Sequence, residues 1–347
     1  MHRTVQSSAL ASLAMLLIAA PLAGSAQQQK PLKPNEVATN QPGVTTFAAA
    51  PQGFDPLTAS DQDLAEYGFP PRPNQATSPK AFATWTKAMI ASKSHLSAPK
   101  IELTNIFHGP AKAQANAPKG GSDLYYSGNW SGYVNTSGAS GYTANSFYFV
   151  LAEYVVPVAN QAFGACTGSW DYSSTWVGID GWGSGDVLQA GTESDAYCSG
   201  STHATYYSPW FEWYPYGESR ITNLPIAQGD DYFVEVWSTT STTGHAYLVN
   251  ENTDQYVNLT FYAPSGTKLV GNSAEWVVER PSVGGGLATL TNYIADPIWD
   301  AEAFTFNYAE SYPGNSQPVD MYNGAVISYP TLLNATSFLM QDTGSAY

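Results

Sequence analysis

From Tyr125 onward, apolar and aromatic positions come in short runs separated by Gly, Asn, Ser and Pro, and no helical period joins them. Runs of Val, Thr, Tyr, Phe and Trp bounded by turn residues read as β-strands. Candidate strands are Phe147–Val156, Thr205–Trp213, Tyr232–Ser238, His245–Val249, Tyr256–Tyr262, Ala274–Glu279, Ala303–Phe306 and Ala325–Ser328. Asn250-Glu251-Asn252-Thr253-Asp254 reads as a hairpin turn between Val249 and Tyr256. Many short strands without intervening helices predict an all-β sandwich or barrel. Residues 27–121 differ: they are rich in Pro, Ala and Lys, with a helix start at Ser60–Leu64 and a helical patch over Lys80–Lys93. Pro-Lys-Gly-Gly at 118–121 reads as an exposed linker.

The start of the chain has its own pattern. A weakly charged Met1–Gln6 precedes an apolar Ala9–Ala23 and then Gly24-Ser25-Ala26, the layout of a secretory signal peptide. The apolar run falls short of the roughly 20 residues that span a bilayer. The expected organisation is a signal peptide over 1–26, a basic segment rich in Pro and Ala over 27–121 and a β-domain over 122–347, exported to the extracellular medium, with no membrane partner.

Charge sharpens this division. Residues 1–120 hold 10 Lys+Arg and 6 Asp+Glu, for 10 − 6 = +4, whereas residues 121–347 hold 3 and 22, for 3 − 22 = −19. So acidic a body repels nucleic acid, and it repels itself until its carboxylates are protonated. The composition therefore suits an acidic medium. Cys166 and Cys198 fit one disulfide in an oxidising compartment. Asn129, Asn135, Asn258 and Asn334 lie in N-x-Ser/Thr sequons.

Several chemistries lack their residues. His203 and His245 of the β-domain have no metal-ligand spacing, and no Gly-x-Ser-x-Gly elbow supplies a nucleophile. No metal and no cofactor is expected. Asp342-Thr343-Gly344 matches the tripeptide of pepsin-type peptidases, but it occurs once, beside the C-terminus, without the second carboxylate of a dyad. In Ala274–Glu279 a period of two places Glu275, Val277 and Glu279 on one strand face. Two carboxylates beside an apolar residue suggest either a functional pair or the solvated face of an edge strand. The pattern does not choose between the two glutamates.

The motifs of the β-domain occur in a recognisable order: Asn129-Trp130-Ser131-Gly132, a long run from Phe147 to Val156-Pro157, Trp176-Val177-Gly178-Ile179-Asp180-Gly181, Leu188-Gln189-Ala190-Gly191, Glu212-Trp213-Tyr214-Pro215 and Ala274–Glu279. In this the chain resembles the glutamic peptidases (eqolisins, peptidase family G1) over residues 125–340. The resemblance implies a sandwich of two curved antiparallel sheets, of concanavalin-like or jelly-roll type, with catalytic Gln189 and Glu279 on the concave face. It also implies lining or supporting roles for Trp130, Trp176, Asp180, Glu193, Glu212 and Glu275. Glu193 stands where the pattern leads one to expect Asp, and the Cys166/Cys198 pair departs from the fungal disulfide pattern. With Leu64-x-x-Tyr67-Gly68-x-Pro70-x-Arg72-Pro73 in the proregion, these departures resemble a bacterial-type branch.

The implied chemistry is consistent from below. A glutamate with an ordinary pKa of about 4.3 serves as base and then acid near pH 3–4, where histidine is protonated. A glutamine amide donates at every pH. The expected function is an acid-acting, monomeric endopeptidase acting on polypeptides and inhibited by its own cationic propeptide, with Arg72 or a lysine near the cleft. The alternative functions are a glycoside hydrolase, since Glu275-x-Val277-x-Glu279 resembles a glucanase strand, or a sugar-binding sandwich whose tryptophans stack on carbohydrate.

Overall fold

The computed structural model describes residues 31–114, 117, 124–162 and 166–344. The signal peptide, the 118–121 linker and the last three residues lie outside this set. The principal strands are β1 (Trp130–Asn135), β2 (Phe147–Val155), β3 (Ser174–Ile179), β4 (Val187–Ser199) and β5 (Thr202–Tyr214). They continue as β6 (Asp231–Thr240), β7 (Thr243–Asn250), β8 (Gln255–Tyr262) and β9 (Ala274–Glu279). The last four are β10 (Ala295–Thr305), β11 (Gln317–Tyr322), β12 (Val326–Asn334) and β13 (Ser337–Asp342).

Pairing sorts these strands into two antiparallel sheets. One runs β11–β1–β9–β3–β4–β5 and ends on the short strand Ser219–Ile221. The other runs β13–β10–β2–β6–β7–β8. β12 pairs with both β11 and β13, which joins the sheets at one edge. The all-β sandwich expected from the sequence is therefore present.

The core follows from the period of two. Val177, Ile179, Ala190, Trp276 and Val278 of the first sheet face Val150, Ala152, Tyr154, Val234, Val236 and Leu248 of the second. The opposite face of each sheet is also buried, because the chain before residue 114 covers both. On the second sheet, Phe149, Leu151, Phe233, Trp237, Tyr247 and Val249 pack against Leu64, Phe69, Trp85, Ala88 and Met89. These come from helices α1 (Asp61–Glu66) and α2 (Pro79–Ala91) and the turn between them. α1 begins with a capping box between Ser60 and Asp63, and α2 has Pro79 in its first turn. Both devices satisfy or remove backbone donors that have no partner within the helix.

The N-terminal region contributes more strand than its composition suggested. Val44–Phe47 pairs with β8 and with Glu36–Ala38, Ser94–His95 pairs with β8, and Ile101–Leu103 pairs with Ser219–Ile221. These strands are two to four residues long, too short for an alternating pattern to be visible. Cys166 and Cys198 form a disulfide that ties the loop before β3 to the end of β4. Among the described residues no helix is long and apolar enough to cross a membrane.

Candidate active site

The outer face of the first sheet carries a cluster of Trp130, Val134, Trp176, Val187, Trp210 and Val277. Glu279 ends β9 in register with Ser174 on one side and Trp130 on the other. Gln189 lies on β4, opposite Gly178 of β3 and Glu212 of β5. A Cβ at position 178 would lie 2.7 Å from the Trp176 ring, so glycine there gives this indole room beside Gln189.

Glu279 is fully buried and well oriented. Its Oε1 accepts from Asn129 Nδ2 at 2.9 Å and its Oε2 from Trp176 Nε1 at 3.1 Å. Burial pushes its carboxyl above the usual glutamate range, while His108, Asn129 and Trp176 pull it back. Trp130 and Trp176 meet edge to face at 4.9 Å, an arrangement aromatic rings favour.

The remaining partner of both candidate catalytic residues comes from the N-terminal region. Gln189 Nε2 donates to the carbonyl oxygen of His108, while Gln189 Oε1 has no hydrogen-bond partner among the described residues. The His108 N–H donates to Glu212 Oε2 at 3.1 Å. Its imidazole stacks on Trp210 with centroids 3.9 Å apart, and Nε2 lies 2.9 Å from Glu193 and 3.1 Å from Glu218. Nδ1 lies 3.6 Å from Glu279 Oε2, an ion-pair distance rather than a hydrogen bond.

These carboxylates respond in opposite directions. Burial drives Glu212 and Asp195 well above the ordinary range and raises Glu193, whose neighbour Glu218 adds to the effect. Burial acts on Glu218 in the same sense, but His108 and Arg220 outweigh it and hold Glu218 below its ordinary value. Burial alone would lower His108, yet the carboxylates of Glu193, Glu218 and Glu279 beside it raise it well above the usual imidazole value. One ligand atom each from His108, Glu193 and Glu218 lie within 4.8 Å of one another. Arg220 Nε donates to the same Glu218, so the cations of this cluster are already supplied by side chains.

The other site residues expected from the sequence are placed differently. Asp180 has φ +71° and accepts the N–H groups of Val270 at 2.6 Å and Asn272 at 2.9 Å. It clamps the loop before β9 and does not line the site. Glu275 is buried beside Ser273 and Asp180, with its carboxyl well above the usual range because of burial. Glu275 and Glu279 thus share a strand face but have different neighbours. Arg72 is not near Glu279: it donates to Pro56 O and Ala59 O and lies over the Trp85 ring, on the outer side of the second sheet. Lys112 lies nearer, its N–H donating to Asn129, and the cation beside Glu279 is His108, which sequence reasoning did not single out.

The other candidate groups have ordinary structural settings. His245 is buried against Trp237, bonded to Thr239 and Thr260, and lowered to about 3 by burial. His203 is exposed, and Asp342 ends β13 opposite Ser328, at the open end of the β12–β13 hairpin. Of the four sequon asparagines only Asn334 is exposed; Asn129, Asn135 and Asn258 are buried. A cavity of about 690 Å³, lined by Phe47, Leu64, Phe69, Arg72, Trp237 and His245, lies where part of the N-terminal region meets the second sheet. It contains neither Gln189 nor Glu279.

Fold and site together define a β-sandwich in which a buried carboxylate and a carboxamide meet the same residue, His108, one at its imidazole and the other at its carbonyl oxygen. Residues 128–341 match the model of the Peptidase A4 family, and the chain belongs to that family. It is 32% identical over 197 residues to aspergillopepsin-2 of Aspergillus niger, covering 51% of this chain and 64% of the relative. It is 32% identical over 154 residues to scytalidopepsin B of Scytalidium lignicola, covering 44% of this chain and 51% of that protein. The chain thus spans between half and two thirds of the curated relatives it matches. Among solved structures, scytalido-glutamic peptidase with a transition state analog inhibitor superposes with a TM-score of 0.52 at 23% identity, over 62% of this chain and 98% of the other. A second structure of that peptidase, with a peptide-based analog, gives 0.51 at 24%, with the same coverage. At these identities the likeness extends to the fold.

Proposed function

We propose that this protein is a secreted, acid-acting endopeptidase that hydrolyses peptide bonds with the pair Glu279 and Gln189. One observation carries the reading: the Gln189 carboxamide donates to the backbone carbonyl oxygen of His108, the residue whose imidazole lies 3.6 Å from the buried Glu279 carboxylate. Peptide hydrolysis needs a base for water, a donor for the oxyanion and an acid for the leaving amine. Ionised Glu279 takes a proton from water as its oxygen adds to the carbonyl carbon. Gln189 Nε2 stabilises the charge growing on the carbonyl oxygen, and its unpartnered Oε1 is available to accept from the same water. The C–N bond then breaks as Glu279 returns the proton to the nitrogen. Asn129 and Trp176 favour the ionised form of Glu279 and so offset part of the burial that raises it.

In this reading residues 1–26 are a signal peptide and 27–121 a propeptide that covers the site in the precursor, while 122–347 form the enzyme. The homology to aspergillopepsin-2 and scytalidopepsin B supports polypeptide substrates. The test is digestion of denatured protein at pH 3–4 after processing. Gln189→Ala is expected to lower kcat about 100- to 1,000-fold, the usual cost of losing one oxyanion donor, and Glu279→Gln to abolish turnover. Full activity in Glu279→Gln would refute the assignment.

A further inference from the structure

Residues 104–113 cross the outer face of the first sheet, and backbone and side-chain groups of the β-domain hold them on both sides of one peptide bond. On the N-terminal side, Thr104 N–H donates to Glu218 O at 3.0 Å, Glu218 N–H to Ile106 O at 3.0 Å, and His108 N–H to Glu212 at 3.1 Å. On the C-terminal side, Gly109 O accepts from Trp130 Nε1 at 3.1 Å and from Asn129 Nδ2 at 3.3 Å. Beyond it, Ala111 N–H donates to Gly181 O and Lys112 N–H to Asn129 Oδ1. Between the two sets lies the His108 carbonyl, held by Gln189.

We propose that this segment lies on the enzyme as a tethered substrate, and that the bond between His108 and Gly109 is the first the enzyme cuts in its own precursor. The inference rests on the peptidase reading above and assigns the bond on which that chemistry first acts. Two features fix the register. The imidazole fills a pocket made by Trp210, Glu193 and Glu218, which a shift of one residue would leave to Phe107 or to a glycine with no side chain. Position 109 is narrow, because a Cβ there would lie 3.1 Å from the Tyr214 ring. In the cut, a water oxygen bonds to the His108 carbonyl carbon and Glu279 takes the water proton. The bond to Gly109 nitrogen breaks and that proton passes to the nitrogen, leaving a carboxyl on His108 and an amine on Gly109.

The experiment takes the full-length precursor, purified at neutral pH, to pH 3.5 and follows it by intact mass and N-terminal sequencing. The earliest Glu279-dependent cut is expected to give a chain beginning at Gly109 and a fragment ending at His108, at a rate independent of tenfold dilution. Gly109→Val should slow cleavage of this bond at least about tenfold, the effect of a modest overpacking penalty on a rate. A synthetic peptide of residues 101–113, added to processed enzyme, provides a readout free of precursor folding. It should be cut at the same bond, at least about tenfold more slowly when it carries His108→Ala. An earliest cut elsewhere, or an intact precursor that digests added protein, overturns this inference and leaves the peptidase reading standing. Absence of both cleavage and activity on added protein overturns both.

Discussion

The carboxyl of Glu279 is buried, so its charge depends on the few donors that touch it. Trp176 Nε1 donates to Oε2 and Asn129 Nδ2 to Oε1, and both favour the ionised form. Removing the indole donor with Trp176→Phe should therefore raise the pKa of Glu279. Activity that requires the carboxylate should then fail at a higher pH, with the acid limb of the kcat profile moving up by roughly half to one unit. An unmoved limb would show that Trp176 serves packing alone. The strand period was enough to place Glu275 and Glu279 on one face, and it could not separate them because both are fully buried. Their difference lies in neighbours from other strands. Gln189 had no signal of its own apart from the family's motif order. His108 was missed because its partners come from β4, from β5 and from the turn before Ser219–Ile221, far away in the chain.

At the scale of elements, legibility followed the continuity of the apolar run. β6, β7 and β8 were readable as alternating or aromatic runs with turns at their ends. β1 and β3, six residues each and interrupted by Gly132 and Gly178, were recognised only as motif blocks. β10 was read only at its end, since Pro297, Asp300 and the irregularity between Trp299 and Glu302 interrupt its period. α2 is held to the second sheet by apolar contacts and by Lys87, whose ammonium lies 2.5 Å from Glu153 and 2.9 Å from Glu251. Burial raises Glu153 to about 7 even with this partner. Lys87→Met leaves two buried carboxylates without their cation. A fully buried pair broken this way costs several kcal/mol, but the lysine is half-exposed, which reduces the expected loss to about 1–2 kcal/mol. Urea unfolding of Glu279→Gln precursor, with and without Lys87→Met, measures it; equal midpoints would mean that the apolar face of α2 suffices.

Across the whole molecule, opposite net charges on the two parts suggest simple release in acid, and the cluster around His108 qualifies this. His108 is raised, so its contribution to the covered state is complete below about 6.5 and fades as pH rises through its higher value. Glu193, Asp195, Glu212 and Glu279 are raised as well, and they too favour the covered state as pH falls. Arg220 stays charged throughout, and Tyr172 is raised, mainly by burial, away from the acid range. Only Glu218 is depressed; its contribution is present above about 4.3 and lost as pH falls through its lower value. Uncovering should therefore begin below about pH 4.3 and not between pH 5 and 6. Glu218→Gln in a Glu279→Gln background should remove that acid step, as followed by protease susceptibility or hydrogen exchange of residues 101–113. An unchanged step would assign it to another group.

The same N-terminal region that covers the site also lies over Phe149, Leu151, Phe233, Trp237, Tyr247 and Val249 on the far side of the sandwich, and it caps β8 with Val44–Phe47 and Ser94–His95. Maturation by removal of that region would thus uncover an apolar wall and an open strand edge at once. Such surfaces promote self-association, so the proposed maturation would also raise the tendency of the sandwich to aggregate.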